Sequence, residues 1–292
     1  MIISVSRRSD IPAFYSEWFV NRLNEGYCVT RNPMNAKQER RVSLLPQDVS
    51  GFVFWTKNAV PMLPVLYGLS AYQWYFQYTI TAYDTDIERG LPSKHEVVIP
   101  AFREIATRYG AERLVWRYDP ILFTQKYTPE YHVRAFTRLC ELLRGSTRRC
   151  VISFVLPYKS IAASMRSAGI IVPEQDERLR LVEALMKIAG EHGIELCACC
   201  EAPEIYALGV KPTACIDANL LGLIDAQRDK NQRAGCNCAA SVDIGAYNSC
   251  MNGCVYCYAN HGNARVRRNF AEHDAAGEAL LGQSGRALEV LY

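Results

Sequence analysis

No run of 18 or more apolar residues occurs in the chain, so no segment reads as a membrane-spanning helix. The opening Met-Ile-Ile-Ser-Val-Ser-Arg-Arg lacks the charged, then apolar, then small-residue order of a signal peptide. Arg7-Arg8 likewise lacks the apolar segment that would make it a twin-arginine signal, and a cytosolic location is expected. Charge is nearly balanced: a formal +3 over 292 residues does not by itself imply a nucleic-acid partner. There is no internal repeat, no low-complexity stretch and no linker. With 49% apolar residues, one domain spanning 1–292 around one large core is expected.

Cysteine, by contrast, is abundant. There are twelve, eight of them after residue 198, and a Cys-rich metal-binding region is expected at 197–260. In a reducing compartment clustered cysteines bind metal or do chemistry more often than they pair. Cys28, Cys140 and Cys150 stand alone and read as small buried hydrophobes.

Short β-branched or aromatic runs predict strands at 2–5, 51–55, 72–80, 113–118, 150–156, 194–199 and 241–245. Helical spacing of apolar residues predicts helices at 14–23, 98–109, 129–143 and 176–190, and an Ala-rich stretch predicts one at 270–281. Residues 27–50 read as an irregular excursion or a short pair of strands, and the tail 283–292 as a small appendage. Strands alternating with helices predict parallel pairing with right-handed crossovers. The expected fold class is α/β, a partial or complete TIM-like barrel of parallel strands with a Cys-rich C-terminal region.

The densest chemistry lies at 250–257, Cys250-Met-Asn-Gly-Cys254-Val-Tyr-Cys257. Three thiolates at this spacing can hold three irons of a four-iron cluster and leave the fourth open to a small molecule. The spacing, with Tyr256 before the last cysteine, resembles the radical S-adenosylmethionine (SAM) superfamily. The run Cys254-Val-Tyr-Cys257-Tyr-Ala is similar to its spore photoproduct lyase branch.

That branch carries, in order after its cysteines, an acidic Asp-Pro-like loop, a Thr-Lys-Ser loop and an Arg-Phe-Asp-Pro-Ile loop. Here Ser9-Asp10-Ile11-Pro12 with Glu17, Thr56-Lys57-Asn58 and Arg117-Tyr118-Asp119-Pro120-Ile121 come in that order only if the chain is read as a circle from 292 to 1. The resemblance therefore implies a circularly permuted barrel of radical SAM type. Strand 241–245 should then lie against strand 2–5, with Arg8 and Asp10 facing the cysteine loop. The chain also resembles an uncharacterised bacterial family that begins Ser-Arg-Arg-Thr-Asp-Ile-Pro and ends in this cysteine run.

The superfamily resemblance implies that Cys250, Cys254 and Cys257 bind a [4Fe-4S] cluster and that SAM occupies the open iron. One electron would then cleave SAM to a 5′-deoxyadenosyl radical, which abstracts hydrogen from an unidentified substrate. The Gly-Gly-Glu stretch that usually holds the SAM amino group is missing. Ser6, Arg7, Arg8 and Asp10 occupy the corresponding loop, where an Asp can accept from an ammonium and an Arg can pair with a carboxylate. Lys57, Arg117, Asp119 and Tyr256 are further candidates for the cofactor pocket, against the plainer reading of Arg117 and Asp119 as a buried ion pair.

Cys199, Cys215, Cys236 and Cys238 form a second group, with Cys197 and Cys200 nearby. A second iron–sulfur cluster, structural zinc and free thiols are the readings open to it. The register Cys-x-Glu of the uncharacterised family selects Cys199 over Cys200. Gly245 and Gly253 can let the backbone bend and approach the cluster, or mark ordinary turns.

The partners implied are a small-molecule or macromolecular substrate and an electron donor such as flavodoxin or ferredoxin. Nucleic acid rests only on the branch resemblance and on Arg31, Arg40, Arg41, Arg265, Arg267 and Arg268. The competing function is a non-catalytic zinc or iron–sulfur metalloprotein that binds a ligand or nucleic acid.

Overall fold

A computed structural model describes residues 1–33, 35–233 and 235–282, and the tail expected at 283–292 lies outside them. Ten strands are described: β1 Ile2–Val5, β2 Tyr27–Asn32, β3 Asn35–Ser43, β4 Gly51–Thr56, β5 Trp74–Thr79, β6 Leu114–Ile121, β7 Arg149–Phe154, β8 Glu195–Ala198, β9 Lys211–Pro212 and β10 Ser241–Asp243. Between them lie α1 Ile11–Phe14, α2 Ser16–Glu25, α3 Ile99–Tyr109, α4 Pro129–Leu143, α5 Ala162–Ser167, α6 Gln175–Glu191 and α7 Pro203–Ala207, and α8 Asn263–Ala271 follows β10. Eight strands form one parallel sheet in the order β10-β1-β4-β5-β6-β7-β8-β9. β2 and β3 form a separate antiparallel pair, which settles the 27–50 excursion as two strands.

The first and last long-range partners meet as the circular reading requires. β1 pairs in parallel with β10, Ile3 opposite Val242 and Ser4 opposite Asp243. Among the described residues no ladder joins β9 to β10, so the sheet is an arc compatible with a partial barrel.

Alternation along the strands explains how the arc is filled. One face carries Ile3, Phe52, Phe54, Trp74, Phe76, Leu114, Trp116, Cys150, Ile152 and Leu196, buried in the main core with the helices. The opposite parity, Ile2, Val53, Tyr75, Val115, Val151 and Cys197, packs on Ile216, Leu221, Cys236, Cys238 and Ala239 of the segment between β9 and β10. That returning segment plugs the interior. Successive side chains of a strand point to opposite faces, so stepping two residues along keeps to the interior face and climbs toward the strand ends. The steps are Ile2 to Ser4, Val53 to Trp55, Tyr75 to Gln77, Val115 to Arg117 and Val151 to Ser153. The interior therefore turns polar toward the C-terminal ends of the strands, where parallel α/β folds place their sites.

Two expected boundaries move. The C-terminal helix is Asn263–Ala271 rather than 270–281. The Ala-rich stretch after it runs as turns because its carbonyls find tertiary donors: Ala275 O accepts from Asn21 Nδ2 at 2.9 Å, Ala276 O from Arg22 Nη2 at 2.9 Å and Gly277 O from Trp18 Nε1 at 2.8 Å. Strand β6 continues through Asp119-Pro120 to Ile121, with a shift of register against β7 after Tyr118. No helix among the described residues is long and apolar enough to cross a membrane.

Candidate metal centre

A cavity of about 490 Å³ opens at the C-terminal ends of the strands. Cys250, Cys254 and Cys257 line it, and so do Cys199, Cys215, Cys236 and Cys238, so both cysteine groups expected from the sequence face one space. Arg7, Arg8, Asp10, Lys57, Arg117, Asp119 and Tyr256 line it as well. Ser6 does not. It lies buried beneath, donating to Asp243 Oδ1 at 2.5 Å and accepting from the Arg8 N–H at 3.0 Å.

Asp243 is the knot that sequence reasoning missed. Its Oδ1 also accepts from the Gly245 N–H at 3.0 Å, and its Oδ2 accepts from Ser4 Oγ at 3.0 Å and the Arg7 N–H at 2.8 Å. One carboxylate thus fastens the end of β10 to the end of β1, from which the two functional loops depart. Gly245 is needed here for closeness rather than for a left-handed backbone, since an added Cβ would lie 2.5 Å from the Ser6 Cβ. Gly253 is the opposite case, with φ at +62°.

The cysteine loop is held from three sides. Asp10 accepts from Asn252 Nδ2 at 2.9 Å, from the Lys57 N–H at 2.8 Å and, as the N-cap of α1, from the Ala13 N–H at 3.1 Å. Tyr15 Oη donates to Ser249 O at 2.6 Å, and Asn260 Nδ2 donates to Cys250 O at 2.8 Å. From the third side the loop after β5 pairs with it: Gly90 N–H donates to Asn252 O at 2.8 Å and Val255 N–H donates to Ile87 O at 3.0 Å.

That third loop carries a second residue the sequence did not single out. Glu88, 2% exposed, accepts from Lys57 Nζ at 2.8 Å and from Tyr256 Oη through Oε1, and from Thr81 Oγ1 at 2.8 Å through Oε2. Lys94 Nζ is 2.6 Å from the same Oε2. Burial alone would raise the Glu88 carboxyl, but Lys57 and Lys94 hold it down to about 2. Lys57 and Tyr256 are thereby fixed beside Cys254, with the Lys57 ammonium 5.5 Å from the Tyr256 ring. Burial pushes the Cys254 thiol up to about 12, although Lys57 opposes it. Burial also raises Cys250, and Asp10, Cys257 and Cys254 add to the effect in that order.

Deeper in the arc, Arg117 donates to Asp119 Oδ2 through Nε at 2.9 Å and Nη2 at 2.5 Å. Its Nη1 reaches Gln77 Oε1 at 3.2 Å and Cys215 Sγ at 3.4 Å. Arg117 and Asp119 thus form the buried ion pair of the plainer reading, and both also line the cavity. Asp119 Oδ1 accepts from Ser153 Oγ.

Around the second group, the sulfurs of Cys199, Cys200 and Cys236 all lie within 4.8 Å of one another. Cys199 Sγ and Cys200 Sγ are 3.9 Å apart, so Cys200 stands with the group although the register favours Cys199 alone. The only hint in the sequence was its adjacency to Cys199.

A family model described as "Domain of unknown function (DUF1848)" matches residues 2–259. The chain belongs to this family. The matched span includes both cysteine groups of the DUF1848 chain and every cavity residue named above. No curated protein matches it.

Proposed function

We propose that this DUF1848 protein is a redox enzyme of radical SAM type in a circularly permuted, partial α/β barrel, with Cys250, Cys254 and Cys257 as the ligands of a [4Fe-4S] cluster. The observation that carries the reading is the parallel pairing of β10 with β1, which sets the three-cysteine loop and the Arg7 to Asp10 loop on adjoining strand ends around one cavity. Such a cluster, with SAM at its open iron, would supply a one-electron cleavage of SAM and a carbon radical for hydrogen abstraction.

The chain's own residues fit that use. Among the described residues no carboxylate lies within ion-pair distance of Arg7 or Arg8, which leaves both able to meet the SAM carboxylate. Asp10 spends its oxygens on three protein donors, so its part is to hold Asn252 and Lys57 in place. Trp55 Nε1 and Ser9 Oγ, from two cavity-lining residues, are buried with no hydrogen-bond partner among the described residues. Unmet buried donors are costly and support a ligand that satisfies them. Trp55, Phe154, Val155 and Ile161 give the cavity apolar walls that would help shield radical chemistry from water.

The test is reduction of anaerobically reconstituted protein with dithionite in the presence of SAM, followed by assay for 5′-deoxyadenosine. Formation above the protein-free blank, lost in Cys254→Ala, is expected. An intact cluster with no product contradicts the enzyme reading. Colourless protein containing zinc and no iron points to the non-catalytic alternative.

A further inference from the structure

Five cysteines meet where the sheet is open. Cys199 and Cys200 follow β8, Cys215 follows β9, and Cys236 and Cys238 precede β10. The strands on either side of the gap, β9 and β10, share no ladder among the described residues. The segment between them is held in the arc by apolar contacts of Ile216, Leu221 and Ala239 and by polar ties to the strands, Gln77 Nε2 donating to Cys215 O at 2.8 Å and Arg149 pairing with Asp217 at 3.1 Å.

Sulfur spacing separates the kinds of group that could sit here. Four thiolates around one tetrahedral zinc, at about 2.3 Å each, stand about 3.8 Å from one another. A four-iron cube carries its thiolates on separate corners and spreads them farther. The 3.9 Å between Cys199 and Cys200 matches the single ion, and Cys236 Sγ, within 4.8 Å of both, is near enough to join them on it. Cys238, whose N–H reaches Cys236 Sγ at 3.5 Å, and Cys215, on the same cavity wall, are the candidates for a fourth sulfur.

The surroundings suit a thiolate site. The N–H of Ile216 points to Cys238 Sγ at 3.4 Å and that of Cys238 to Cys236 Sγ at 3.5 Å. Arg117 reaches Cys215 Sγ at 3.4 Å, and Arg233 donates to Cys199 O at 3.3 Å. Two guanidiniums and two backbone donors offset the charge that a four-thiolate site leaves on a divalent ion.

We propose that Cys199, Cys200 and Cys236, completed by Cys215 or Cys238, hold a single thiophilic divalent ion, zinc or ferrous iron, which staples the edge of the sheet to the returning segment. The site is separate from the three-cysteine loop and stands whatever that loop binds. Binding forms four metal–sulfur bonds and releases to solvent the four thiol protons, with no change of oxidation state.

The experiment removes the other group first. Full-length protein with Cys250, Cys254 and Cys257 all replaced by Ala is purified, and its zinc, iron and acid-labile sulfide are measured. One metal ion per chain without labile sulfide is expected. In the same background Cys199→Ser with Cys236→Ser should lose that ion, whereas Cys197→Ser should keep it. If the double variant does not fold, Co2+ titration of the folded parent variant decides instead, by the intense visible bands of tetrahedral thiolate cobalt saturating at one equivalent. Folded parent variant free of metal and without these bands would overturn the proposal. So would labile sulfide, or full metal retention in the double variant.

Discussion

Asp10 and Asn252 stand 242 positions apart in the sequence, and the carboxylate of the first accepts the side-chain amide of the second at 2.9 Å. Asn252 lies inside the three-cysteine run, and Asp10 opens α1 just after β1. This one bond therefore spans the seam where the circular reading joins the end of the chain to its beginning. Both groups are buried, 5% and 3% exposed, so water does not compete for it.

Asp10→Ala strands three donors at once, the Asn252 amide and the Lys57 and Ala13 N–H groups. A loss of about 3 kcal/mol is expected from buried donors left unpaired. Urea unfolding should show it as a lower midpoint at unchanged slope. Asn252→Ala, which leaves the two backbone donors satisfied, should cost less than half as much. Equal costs would mean that Asp10 acts through the seam bond alone.

Glu88 sets the acid limit of the fold. Its folded value of about 2 lies below the ordinary 4.5, so its stabilisation is present above pH 4.5 and is lost as pH falls from there toward 2. His132 adds a limb at higher pH. It is fully buried, Nε2–H donates to Leu122 O at 2.9 Å, and Nδ1 accepts from Tyr118 Oη at 2.7 Å. Burial lowers it to about 4, so its contribution is present above pH 6.5 and is lost as pH falls toward 4. Melting temperature should thus decline in two stages below pH 6.5. Glu88→Gln should lower stability at pH 7 by roughly 3 kcal/mol, because Lys57 and Lys94 lose their buried counter-charge. It should also flatten the lower stage, and an unchanged lower stage in this variant would contradict the assignment.

Close approach at two glycines gives a steric test. An added Cβ at Gly245 would lie 2.5 Å from Ser6 Cβ, and one at Gly90 would lie 3.1 Å from Asn252 Cα and still closer to Met251 O. Gly245→Ala and Gly90→Ala should each cost about 1–3 kcal/mol by overpacking. Gly68, with nothing within 4 Å of its added Cβ, is the control and should change stability by no more than about 0.5 kcal/mol. Similar effects at all three would show that the seam and the loop after β5 are not tightly packed.

Much of the frame is legible in the sequence because parallel strands advertise themselves. Runs such as 51–56 and 74–79 are apolar on both faces, and the steps from Val53 to Trp55 and from Val115 to Arg117 already mark the polar end of the interior. The three cysteines named from spacing and the four of the second group all line the cavity.

What stayed hidden depends on distant partners. Glu88 sits in a loop without period, beside Asp84 and Asp86, and what distinguishes it is contact with Lys57 and Tyr256, 31 and 168 positions away. Asp243 looks like a strand-end carboxylate until β1 lies beside it. The Cys-x-Glu register favours Cys199 over Cys200, and the folded distances of Cys200 to Cys199 and Cys236 bring it into the group. The Ala-rich stretch after 271 has good helix propensity, but Trp18, Asn21 and Arg22 supply donors that reward turns instead.

The reading of the three-cysteine loop turns on whether SAM meets the cluster directly. Electron paramagnetic resonance of the reconstituted, dithionite-reduced protein, recorded with and without SAM, measures this before any turnover. A reduced four-iron signal whose g-values change on adding SAM, and which is missing in Cys254→Ala, is the expected result. A four-iron signal that SAM leaves unchanged would contradict an open iron in this cavity.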